Sequence, residues 1–211
     1  MITISYVEFK SFYGVTTKNL FFTHNTKSHS LVVLFPGRGY TCDKPLLYYA
    51  NMAALNKGCD VLNLEYGFHR ANTKFQYAED STKIIDECEA IISKCELNTY
   101  SNVYFISKSL GTLFAGELSV RMGEYNIKNL FLTPLVDTIP YMVNTNCIAV
   151  TGSKDDSFPD SSVDFVRNKS NNEIIIINNA DHSLETEIGT GTAVNLEILQ
   201  QIVKLCEDFV S

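Results

Sequence analysis

The chain has 211 residues, 45% hydrophobic and 19% charged, which is enough apolar side chain to bury a sizeable core at the length of one α/β domain. Its formal charge of -7 is interrupted by no basic cluster, which argues against nucleic acid or an anionic membrane as a partner. No apolar run is long enough to span a bilayer, and the opening MITISYVEFK, carrying Glu8, lacks the basic start and apolar block of a secretory leader.

Residues 2–9 and 18–24 flank FYGVTT and predict an antiparallel hairpin. Beyond it, short apolar runs alternate with helical patterns. SLVVLF (30–35) predicts a strand, followed by a helix over KPLLYYANMAALNKG (44–58), with Pro45 near its first turn and Gly58 at its end. DVLNLEY (60–66) predicts the next strand, and residues 67–77 a long loop able to wall a pocket. Residues 77–95 then place Ile84, Ile85, Cys88, Ile91 and Ile92 on one helical face. VYFIS (103–107) reads as a strand running into a helix over TLFAGELSVRM. NLFLT (129–133), CIAVTG (147–152) and EIIIIN (173–178) are three further strands. A last helix, about residues 193–210, carries Leu196, Leu199, Ile202, Val203 and Leu205 at helical spacing. Runs that are apolar throughout suit strands buried on both faces of a parallel sheet. The expected fold is therefore α/β: a mostly parallel central sheet with helices on both faces and an N-terminal antiparallel hairpin, residues 1–211 forming one domain.

The six cysteines, Cys42, Cys59, Cys88, Cys95, Cys147 and Cys206, form no Cys-x-x-Cys pair and have no histidine at metal-ligand spacing. They read as free thiols in a reducing compartment, the cytoplasm, and no metal or other cofactor is expected.

Sites in open α/β sheets form from loops at the carboxyl ends of strands. Ser109 lies on such a loop, in SKSLG between VYFIS and the following helix. A helix cap would explain a serine there, but not small residues two positions to either side, Ser107 and Gly111. The stretch resembles the Gly-x-Ser-x-Gly nucleophile elbow of the α/β-hydrolase superfamily, with Ser107 in place of the first glycine. The resemblance runs through nearly the whole chain, because that family carries its acid and then its histidine after the nucleophile. Asp155 follows the strand CIAVTG and precedes Phe158-Pro159, as in the family's acid loop. His182 follows EIIIIN in Ala180-Asp181-His182-Ser183-Leu184, and the other histidines, His24, His29 and His69, all precede the elbow.

The resemblance implies a serine hydrolase that cleaves a carboxylic ester or similar acyl bond of a small molecule, with Ser109 as nucleophile, His182 as base and Asp155 as the acid. It is similar above all to small lidless esterases and dienelactone-hydrolase-like proteins, with no room for a large cap. The oxyanion donors implied are the backbone N–H of Leu110 and that of Arg38 in Phe35-Pro36-Gly37-Arg38-Gly39-Tyr40, with Tyr40 an alternative. Asp156 and Asp137 remain alternatives for the acid. Arg38, His69 and Arg70 could place positive charge near the mouth and favour an acidic acyl group, or be solvated loop residues. Two other functions stay open: a non-catalytic binding protein on the same fold, and a dinucleotide oxidoreductase that uses Gly37 and Gly39 with Glu65 as the ribose acid. The second is weakened by Cys42 at the third glycine position.

Overall fold

Each apolar run becomes a strand of one eight-stranded sheet in the computed structural model, which describes residues 1–187, 189 and 191–211. In chain order the elements are β1 (Ile2–Lys10), β2 (Thr16–His24), β3 (Ser30–Phe35), α1 (Pro45–Asn56), β4 (Asp60–Asn63), α2 (Gly67–Ala71), α3 (Tyr77–Ser93), β5 (Asn102–Lys108), α4 (Leu110–Arg121), β6 (Lys128–Leu132), α5 (Ile139–Asn144), β7 (Cys147–Gly152), α6 (Asp160–Lys169), β8 (Glu173–Ile177) and α7 (Thr192–Phe209). The strand order is β1-β2-β4-β3-β5-β6-β7-β8. β1 and β2 pair antiparallel, β2 joins β4 antiparallel, and the ladder from β4 to β8 is parallel throughout. The expected hairpin and parallel sheet are both present.

Burial on both faces explains why the runs do not alternate with polar residues. Along β3, Leu31, Val33 and Phe35 enter one apolar cluster, while Val32 and Leu34 enter the other. The first cluster lies under α3, α4 and α6 and includes Ile84, Ile92, Phe114, Val163 and Val166. The second packs against α1 and α7 and includes Leu47, Ala50, Ala54, Ile198 and Ile202.

Four local expectations need correction. The strand read over residues 60–66 ends at Asn63. Past it, Glu65 leaves the ladder, donating its N–H to the Asn19 side chain and accepting the Lys18 N–H, both at 2.8 Å. Residues 67–77 are not all loop, since Gly67–Ala71 forms a short helix that ends at Asn72 in the left-handed conformation (φ 50°). Helix α6 was not anticipated, because DSSVDFVRNK offers only Val163 and Val166 as apolar residues to the core, beside the small Ser162. Finally, α7 buries Ile198, Ile202 and Cys206, while Leu196 is 61% exposed.

That last difference can be measured. Ile202→Ala should cost about 2–5 kcal/mol in urea unfolding, the usual range for a buried aliphatic truncation. Leu196→Ala should change stability by less than about 0.5 kcal/mol, as surface substitutions do.

Candidate active site

β5 ends at Lys108 and α4 begins at Leu110, so a single residue reverses the chain. Ser109 does this at φ 51°, ψ −120°, and its side chain makes no capping bond to α4. Positive φ costs a residue with a Cβ on the order of 1–3 kcal/mol and persists only where the surroundings impose it. The imposing contact is visible at Gly111, where a Cβ would lie 2.5 Å from the carbonyl oxygens of both Phe35 and Pro36. The first turn of α4 thus packs directly on the loop after β3. Ser107, at the other small position, is buried, with its hydroxyl 3.4 Å from the Leu130 carbonyl.

The Ser109 hydroxyl meets the imidazole of His182, with Oγ 2.8 Å from Nε2. On the far side of the ring, Nδ1 is 2.9 Å from both carboxylate oxygens of Asp155. The Asp155 side chain has no exposed surface. It also accepts the Ser157 N–H at 2.9 Å and lies 3.4 Å from the Thr151 hydroxyl. A carboxylate facing Nδ1 holds the proton there and leaves Nε2 as the acceptor towards Ser109. The two alternative acids lie elsewhere: Asp156 is exposed, and Asp137, also exposed, accepts the Tyr77 hydroxyl at 2.9 Å. The loops after β7 and β8 are joined backbone to backbone. The Ser153 N–H donates to Ile177 and the Lys154 N–H to Ala180, at 3.0 and 2.9 Å. A Cβ on Gly152 would sit 2.0 Å from the Ala180 carbonyl oxygen.

The loop after β3 closes on itself, the Gly37 N–H donating to the Tyr40 carbonyl at 2.8 Å and the Tyr40 N–H approaching the Gly37 carbonyl at 3.5 Å. The Tyr40 N–H is thereby engaged. Those of Arg38 and Leu110 donate to no protein acceptor among the described residues. Gly37 lies against Ser109, its ideal Cβ being 3.4 Å from Ser109 Cβ. The His69 ring holds the loop from behind, with Nε2 2.7 Å from the Arg38 carbonyl. Burial pushes the His69 pKa down, so the ring is a neutral donor rather than a cation.

The cationic patch read from the sequence therefore changes composition. His69 is neutral, Arg70 lies 3.7 Å from Glu65, and Arg38 instead shares a cleft of about 460 Å³ with Lys44 and Lys74. Phe68 and Phe75, from the segment expected to wall a pocket, line the same cleft. A larger cavity of about 690 Å³ lies between α1, β2 and β4, lined by Leu20, Phe22, Asn51 and Met52, and neither cavity is lined by Ser109, Asp155 or His182.

The same geometry bears on the dinucleotide reading. α1 begins only at Pro45, the Cys42 thiol fills the space beside the Leu34 and Leu64 carbonyls, and Glu65 is occupied on β2. Gly37 faces Ser109 rather than the N-terminus of α1. Among the described residues, no group of three or more His, Cys, Asp or Glu side chains is arranged to hold a metal ion, none of the six cysteines is paired, and no helix is long and apolar enough to cross a membrane.

Sequence reasoning gave one residue at this edge, His69, a different role and missed two others. His69 supports the loop after β3. Lys108 and Thr133 form a buried pair whose only sequence signal is a lysine at the end of an otherwise apolar strand, VYFISK.

No family model matches the chain, and no curated protein matches it in sequence. Solved structures do match. An α/β serine hydrolase homologue from Coxiella burnetii superimposes with a TM-score of 0.71 at 12% identity, over 97% of this chain and 96% of that one. An esterase from Pyrococcus furiosus gives 0.71 at 11% identity, over 100% and 94%. A lidless α/β serine hydrolase from Xanthomonas campestris gives 0.66 at 11% identity, over 96% and 94%.

The contact between the loops after β7 and β8 makes a stability prediction. Gly152→Ala should cost about 1–3 kcal/mol, as overpacking does, whereas Gly123→Ala, with nothing within 4 Å of the new methyl group, should not. Thermal unfolding of the two variants beside wild type measures the difference.

Proposed function

We propose that this chain, which has the α/β-hydrolase fold, is a serine hydrolase that cleaves a carboxylic ester or similar acyl bond of a small molecule. The observation that carries the reading is the unbroken line from Ser109 Oγ through the His182 ring to the buried Asp155 carboxylate, at 2.8 and 2.9 Å, with Ser109 strained and uncapped. An unaided hydroxyl is too weak a nucleophile for a carbonyl. His182 Nε2 takes its proton as Oγ attacks, and Asp155 stabilises the imidazolium and fixes its tautomer. The backbone N–H groups of Arg38 and Leu110 receive the oxyanion, each such donor typically contributing about 2.7–4 kcal/mol to the transition state. The alcohol leaves with the proton from His182. Water, activated by the same ring, then releases the acyl group from Ser109.

The site is shallow, with Ser109 only half-buried. Two of the structural neighbours are an esterase and a lidless serine hydrolase, which accords with small, accessible esters; thioesters and amides pass through the same steps. Arg38, the residue whose N–H is assigned to the oxyanion, also lines the smaller cleft with Lys44 and Lys74, and these cations favour a substrate with an anionic end. We read residues 1–211 as one domain without a large cap, since only α5, six residues long, and a 3₁₀ turn lie between β6 and β7. Unpaired thiols fit a cytoplasmic protein.

A fluorophosphonate probe should label wild type at Ser109 and leave folded Ser109→Ala unlabelled. Labelling that survives in the variant sinks the nucleophile assignment. A well-folded wild type that stays silent points instead to a binding protein on this fold.

The acid assignment has its own test in p-nitrophenyl ester hydrolysis. Asp155→Asn should lose about 10⁴ in rate, as the same change does in a well-studied triad. Asp156→Asn and Asp137→Asn should stay within a few-fold of wild type at matched folded concentration. A collapse of either, with Asp155→Asn intact, reassigns the acid.

A further inference from the structure

Lys108, the residue immediately before Ser109, is 2% exposed and is the only buried lysine or arginine among the described residues. Interior ammonium groups are costly unless nearby groups compensate them. Here the compensation comes from three loops at once. Nζ donates to Thr133 Oγ1 at 2.6 Å, after β6, and to the His182 backbone carbonyl at 2.7 Å, after β8. It also lies 5.2 Å from the centre of the Tyr40 ring, in the loop after β3. Thr133 is itself strained: a β-branched residue at φ 46°, pinned on its other side by donation of its N–H to Val150 at 2.7 Å.

We propose that Lys108 is the positioning residue of this site, its ammonium bridging Thr133 and the His182 carbonyl so that the imidazole is held between Ser109 and Asp155. The proposal rests on the serine-hydrolase reading for its kinetic consequence, but its structural half stands on the bridge alone. An apolar side chain of similar length would fill the same space without the desolvation cost. What it could not supply is two charge-assisted hydrogen bonds that tie the last residue of β5 to Thr133 on one side and to the histidine loop on the other. Lys108 touches neither the nucleophile oxygen nor the imidazole nitrogens in any hydrogen bond, so it acts through the backbone of His182.

This bridge should respond to pH. The groups facing the ammonium are Asp155 from the loop after β7, Asp181, His182 and Glu185 from the loop after β8, Tyr40 from the loop after β3, and the neutral Thr133. Burial lowers the Lys108 pKa to about 8, outweighing the upward pull of Asp155, Asp181 and Glu185. The charged bridge is therefore present at neutral pH and is lost as pH rises through about 8. The neutral amine that remains donates weaker hydrogen bonds.

The test compares wild type, Lys108→Met, Thr133→Val and Thr133→Ser between pH 6 and 10. It reads both p-nitrophenyl ester kcat/KM and the NMR resonance of the His182 Nδ1–H that faces Asp155. Wild type should lose kcat/KM above pH 8, with that resonance broadening in step. Lys108→Met should lose on the order of 10²-fold in kcat/KM at pH 7, the scale of a small misplacement of a catalytic group. It should also lack the alkaline decline and show a broadened resonance at every pH. Thr133→Val, which removes one acceptor, should move the same way, and Thr133→Ser should recover most of the wild-type behaviour. A folded Lys108→Met whose kcat/KM profile and resonance coincide with wild type overturns the proposal. If Lys108→Met does not fold, indistinguishable behaviour of Thr133→Val and Thr133→Ser overturns it instead. If wild type proves to have no esterase activity, the serine-hydrolase reading falls separately, and the resonance still decides whether Lys108 holds His182.

Discussion

A carboxylate with no exposed surface lies at the carboxyl edge of the sheet, and the arrangement around it follows from the need to satisfy that charge. Asp155 has lost its water, so its compensation must come from groups fixed in place: the His182 Nδ1–H, the Ser157 N–H and, more distantly, the Thr151 hydroxyl. His182 can serve only if its loop lies close to the loop that carries Asp155. The parallel pairing of β7 with β8 brings the two loops side by side, and the missing side chain of Gly152 lets them touch. Once the ring is held on Asp155, its second nitrogen is an acceptor with one neighbour, the Ser109 hydroxyl.

The same edge accommodates a buried cation in a chain whose overall charge is negative. Lys108 sits among Asp155, Asp181 and Glu185, whose field favours its charge while burial opposes it. Two opposite charges, Asp155 and Lys108, thus bracket His182: one holds the ring, the other the backbone. The pairing is indirect, since no hydrogen bond joins lysine to carboxylate. An ammonium bound directly to Asp155 would compete with the imidazole for it.

Backbone strain is concentrated at this edge. Ser109 at the end of β5, Thr133 at the end of β6, and Asn179 and Leu184 around the histidine loop all have positive φ without being glycine. Each lies just past a strand or in a loop of the carboxyl edge, where the fixed register of the parallel ladder leaves few residues in which to turn. The apolar clusters on the two faces of the sheet hold the strands firmly enough to keep these conformations. Stability is thus built in the layers, and the strained geometry appears where the strands end.

Much of this could be read from the chain alone, for a definite reason. Strands buried on both faces must be apolar along their length, so SLVVLF and NLFLT declare themselves, and the order of Ser109, Asp155 and His182 is a property of the sequence. Periodicity also placed α3 correctly, because its apolar residues fall on a single face. It placed α7 as well, although Leu196 shares the helical spacing and is exposed, and it failed for α6, whose short polar run has too few apolar positions to stand out. Asp155 already led its neighbour Asp156 by its place before Phe158-Pro159, but adjacent residues in a turn point in different directions, and only the packed loops show which of the two side chains faces His182. The neutral state of His69 and the bridge made by Lys108 were equally out of reach. Both depend on desolvation and on partners 31 and 74 residues away along the chain, and a linear pattern carries neither.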